Sequence, residues 1–119
     1  MNQGDSFLGG GELHGSDHLW IVINDPAAHG GAALIVNVST LRDEAELTCI
    51  LKKGDHPLIS HESYVRYASA RNPDVAKLQE AFKRGLFRPQ PAATPALVAK
   101  IRAGASASPM LPKSLLALL

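Results

Sequence analysis

The chain has a single cysteine, Cys49, no acidic residue after Glu80, and aromatic residues at only 5% of its length. Each shortage excludes something. One cysteine rules out an internal disulfide and fits a reducing compartment. No apolar run approaches the roughly 20 residues of a bilayer-spanning helix. No basic start leads into an apolar stretch and a small-residue cleavage site, so the expectation is a cytoplasmic protein that makes no membrane contact. At 119 residues the chain reads as one domain with a single modest core.

The missing acids make the charge uneven. Residues 1–80 hold all eleven acids against six Lys/Arg, a net −5, whereas residues 81–119 hold Lys83, Arg84, Arg88, Lys100, Arg102 and Lys113 and no acid, a net +6. Such an arm either meets phosphate or an acidic partner, or folds back on its own acidic body.

What is present reads as strands first and helices later. Residues 1–17, with Gly9, Gly10, Gly11 and Gly15, form a flexible lead with one short strand near Phe7 and Leu8. A phosphate-loop reading fails there, because the Lys-Ser/Thr ending is missing and no strong strand precedes the glycines. The runs HLWIVIN (18–24) and AALIVNV (32–38) are nearly continuous apolar strands, separated by Asp25-Pro26 and His29-Gly30-Gly31. LTCIL (47–51) is a third strand and Tyr64–Tyr67 a short fourth, with Lys53-Gly54-Asp55 a tight turn between them. Asn72-Pro73 opens a helix whose stripe is Val75, Leu78 and Phe82 and which Gly85 closes. FRPQPAA reads as an extended linker. Thr94-Pro95 opens a second helix with Leu97, Val98 and Ile101, ending before Gly104, and Met110–Leu119 forms a short final one. The class is α+β.

The densest polar stretch is LKKGDHPLISHESYVRY, residues 51–67. A zinc site needs three or four converging ligands; His56 and His61 stand alone, with no second cysteine and no HExxH helix. Cys49 sits in an apolar strand, where a thiol is an inert core residue rather than a nucleophile. General acid–base chemistry fits better. RNA strand cleavage by the 2′-hydroxyl needs a proton acceptor, a proton donor and cations for the developing charge. His18, Asp55, His56 and His61 are candidates for the first two. Arg42, Lys52, Lys53 and Arg66 are candidates for the third, and Ser39, Thr40 and Ser63 are placed to orient a phosphate. Each has a plainer reading: His18 packing at a strand start, Asp55 closing a turn, Ser39-Thr40 capping the next one.

Three segments together resemble the PemK/MazF-like growth-inhibitor family: DHLWIVINDP, ALIVNVST and GDHPLISHESYVRYASAR, with an early GDSF echoing the family's opening Gly-Asp. The resemblance covers roughly residues 4–85. It implies a small SH3-like β-barrel with its helix over residues 1–85, followed by an Ala/Pro-rich basic helical tail over 86–119. It further implies a bacterial toxin-type homodimer that cuts single-stranded RNA without metal or cofactor and is silenced by an antitoxin peptide in the RNA groove. The family's Ser/Thr position falls on Ser39 or Thr40. Its Arg-Pro position holds His18 and Leu19, so His18 becomes the proton-transfer group, with Arg42 stabilising charge. Lys52, Lys53, His56, His61, Ser63 and Arg66 would line the rim. The alternative is a non-enzymatic module on the same barrel, binding protein or nucleic acid after losing the Arg. The tail would then cover the groove in cis or dock on a partner.

Overall fold

A computed structural model describes residues 1–10 and 17–119; Gly11 and Gly15 lie outside the described residues. The strands are β1 (Ser6–Gly9), β2 (His18–Val22), β3 (Ile35–Thr40), β4 (Ile50–Leu51), β5 (Ser63–Arg71) and β6 (Phe87–Gln90). Two α-helices follow the strands of the first half, α1 (Val75–Lys83) and α2 (Pro95–Ala107), and 3-10 turns occupy Pro26–His29 and Lys113–Leu118. The strands form one antiparallel sheet in the order β4-β5-β3-β2-β1-β6. The α+β reading holds.

The sheet is not closed into the SH3-like barrel that the resemblance implies. Both of its ends are blocked locally. β4 is only two residues long, and its Ile50 carbonyl accepts from Lys100 Nζ at 2.6 Å. β6 carries Pro89, which has no amide hydrogen to offer a further strand.

β6 itself replaces the expected linker. Phe87–Gln90 runs antiparallel to Ser6–Gly9, a place open to proline because this is an edge strand. The close pairing requires Gly9: a Cβ there would stand 1.9 Å from Phe87 Cδ1. Other bounds also moved. Leu47, Thr48 and Cys49 are not in a strand, and Leu47 is 70% exposed. α1 starts after Asp74 rather than after Asn72, because Pro73 and Asp74 are held as extended chain: Ala33 N donates to Pro73 O and Val75 N to Gly31 O, both at 2.9 Å. Its end is as the glycine indicates, with Gly85 left-handed at φ 72° and Leu86 N donating back to Ala81 O at 2.9 Å.

α2 begins where Thr94-Pro95 predicts, with Thr94 Oγ1 accepting from Leu97 N at 3.1 Å. It does not stop at Gly104 but runs three residues further. That glycine is needed for contact rather than termination, since a Cβ would meet Tyr67 Oη at 2.2 Å. The tyrosine hydroxyl instead donates to Ile101 O at 2.7 Å.

Alternation along the strands produces two unlike faces. On one, Leu19, Ile21, Val36, Val38, Val65 and Tyr67 pack under Leu97, Val98, Ile101 and Ala105 of α2, and Leu111 and Leu115 extend the cover. Burying each large aliphatic side chain there is worth roughly 1.5–3 kcal/mol. On the other, Phe7, Val22 and Ile35 pack under Leu78 of α1, with Phe82 and Phe87 completing a ring cluster 4.9 to 6.0 Å between centroids. The basic arm therefore folds back, but through apolar packing. Of its charges, Arg88 pairs with Asp17 and Arg102 Nη1 donates to Ile23 O at 2.5 Å. α2 lies on the face opposite α1, so it does not cover the groove described next.

Candidate functional site

α1 shields only part of its face. The same strands that are apolar beneath it turn polar as they run out from under it. In β3 the sequence on that face is Ile35, Asn37, Ser39; in β2 it is Val22, Trp20, His18. Register fixes the neighbours: Trp20 is opposite Asn37, Asn37 is opposite Arg66, and Ser39 is opposite Tyr64. One step beyond the Leu19–Val38 pair, the same register sets His18 beside Ser39.

The result is a cleft of about 1250 Å³ on the uncovered half of this face. His18, Ser39, Thr40, Arg42 and Arg66 all line it. Arg42 and Arg66 also border a smaller recess of about 240 Å³ that includes Glu46, Tyr64 and Met110. Arg71 and Lys77 add positive charge to the main cleft, and Asp17, the acid that lines it among the described residues, is ion-paired with Arg88. Such a surface suits a polyanion.

His61 lies outside this lining but touches it. Its Nε2 is 3.0 Å from Thr40 Oγ1, and its Nδ1 is 3.1 Å from Ser60 Oγ. His56 is elsewhere. It is 2% exposed, its Nε2 lies 2.9 Å from Pro91 O and 3.1 Å from Ser6 Oγ, and its Nδ1 accepts from Leu58 N at 3.1 Å. That arrangement puts the hydrogen on Nε2 and makes His56 a buried clamp between β1 and the chain after β6, not a rim residue. Ser63 is buried, donating to His61 O at 3.0 Å. Lys52 and Lys53 are exposed on the turn that Asp55 closes, its Oδ2 accepting from Lys52 N at 2.9 Å. None of these four lines the cleft.

Cys49 and Tyr67 sit together in the covered core. Burial pushes both the thiol and the phenol above their ordinary values. A buried thiol held in its neutral form is not a nucleophile. Among the described residues, no three His, Cys, Asp or Glu side chains cluster as metal ligands would. No helix among them is long and apolar enough to cross a membrane.

Sequence reasoning missed Trp20, Asn37, Arg71 and Lys77. Asn37 carried a signal, as a polar residue inside an apolar strand and two positions before Ser39, hence on the same face.

No family model matches the chain, and no curated protein matches it in sequence. A solved structure does match: an endoribonuclease in complex with its cognate antitoxin, from Mycobacterial species. The TM-score is 0.61 at 16% identity, over 94% of this chain and 97% of that one. At that identity the likeness establishes the fold. At 94% of a 119-residue chain the match reaches beyond residue 85.

Proposed function

We propose that this protein is a toxin-type endoribonuclease of the PemK/MazF kind, cutting single-stranded RNA in the cleft without a metal. The observation that carries the reading is the convergence of His18, Ser39, Thr40, Arg42 and Arg66 on one cationic cleft. The fold shared with a toxin endoribonuclease supports it.

The chemistry follows from those groups. The 2′-hydroxyl of the substrate attacks the adjacent phosphorus, the 2′-proton goes to a base, and the departing 5′-oxygen takes a proton from an acid. His18 is one proton-transfer group. His61, held against Thr40, is the other. Ser39 and Thr40 orient the phosphate through their hydroxyls. Arg42 and Arg66 hold its oxygens as negative charge builds on them, which is the role best suited to a fixed guanidinium. His18 occupies the position of the family's Arg, so proton transfer and charge stabilisation are divided here between separate side chains. The cleft is also where an antitoxin-like peptide would compete with RNA, and a homodimer in the cytoplasm is the expected form.

The test is incubation of purified protein with a long unstructured RNA, with and without a chelator. Cutting that survives the chelator and is lost in His18→Ala supports the reading. Intact RNA at high concentrations of folded protein would overturn it in favour of a binding module that no longer cleaves.

A further inference from the structure

We infer that Trp20 and Asn37 form a base-reading subsite in the floor of the cleft and select the RNA base seated there. The inference rests on the ribonuclease reading and adds a specificity-determining pair to it.

Asn37 is 4% exposed, yet its Oδ1 has no hydrogen-bond partner among the described residues. Trp20 Nε1 is likewise covered and unpaired. Both residues line the cleft, and they face each other across β2 and β3. Directly opposed residues stand close enough for one small planar ligand to touch both. An amide oxygen can only accept and an indole N–H can only donate. Together, an acceptor and a donor on this floor complement a base edge that presents both an N–H and a ring nitrogen or carbonyl oxygen.

The protein's other buried asparagine shows what a structural role looks like. Asn24 donates to Ala32 O at 3.1 Å and accepts from Leu34 N at 2.7 Å, closing the loop between β2 and β3. Asn37 has no such task for its oxygen. A buried polar atom without a partner weakens the fold, and a site that must reject ligands lacking the matching group keeps such atoms. Arg66, opposite Asn37, is exposed and Trp20 is partly exposed. A shift of the Trp20 indole admits the base, while Arg66 stays with the phosphate.

The experiment measures binding of four short 2′-O-methyl homopolymers, which lack the attacking hydroxyl and cannot be cut. Wild-type protein is expected to rank them with a spread of about tenfold or more. Trp20→Phe keeps a flat ring and removes the unpaired N–H together with part of the indole's bulk. It should compress the spread to about threefold or less. Asn37→Asp keeps the shape and changes the hydrogen-bonding character, and should reorder the ranking. If both variants keep the wild-type ranking, or wild-type protein binds all four alike, the subsite is overturned while the ribonuclease reading stands. If wild-type protein binds none of them and leaves natural RNA intact, the ribonuclease reading falls and the subsite with it.

Discussion

The two faces of the sheet are built from the same strands, yet one is finished and the other is not. Beneath α2 the core side chains are apolar, and Tyr67 spends its hydroxyl on Ile101 O; Glu46 Oε1, beside the end of α2, is the unpartnered exception. On the other face, α1 covers Phe7, Val22 and Ile35 and then stops, leaving Trp20 Nε1, Asn37 Oδ1 and Ser39 Oγ without partners among the described residues. The first face does what stability requires. The second carries unmet polar groups beside positive charge, which is how a surface looks when it is shaped for a ligand rather than for the fold.

Substitutions on the two faces should therefore fail differently. Ile101→Ala, at a fully buried position in α2, should cost about 2–5 kcal/mol in urea unfolding. Arg66→Ala, on the open face, should change stability by about 0.5 kcal/mol or less. It should slow RNA cutting by roughly a hundredfold or more, if the guanidinium stabilises transition-state charge. A large stability loss in Arg66→Ala would break the division between the faces. Next in size is Gly104→Ala, which drives a methyl group into Tyr67 and should cost about 1–3 kcal/mol, read from the same unfolding curves.

The smallest effect at neutral pH grows with alkalinity. Cys49 and Tyr67 are held by burial above their ordinary values of 9.0 and 10.0, so the folded state keeps protons that the unfolded chain gives up. Their contribution is fully present below those values and declines as pH rises past them. The melting temperature should fall above about pH 9. Tyr67→Phe should flatten part of that decline, whereas a substitution on the open face should leave it unaltered.

Much of the architecture was legible because local signals agreed. Thr94-Pro95 and Gly85 mark real helix ends, and the stripes Val75–Leu78–Phe82 and Leu97–Val98–Ile101 face real cores. β6 was hidden because Pro89 and Pro91 resemble a linker, and only the edge position and Gly9 make a strand of it. Gly104 was misread as a stop because its reason lies in Tyr67, 37 residues away along the chain. The site was partly legible: alternation put His18 and Ser39 in reach of one face, but nothing local distinguished exposed His61 from buried His56. Their neighbours, Thr40 in one case and Ser6 with Pro91 in the other, come from segments distant in sequence.

The most direct test of the central claim asks which face touches RNA. Single-stranded RNA carrying 4-thiouridine, irradiated with the protein and mapped by mass spectrometry, should crosslink to peptides containing Trp20, Thr40 or Arg66. Crosslinks confined to residues 95–107 of α2, with none on the open face, would contradict it.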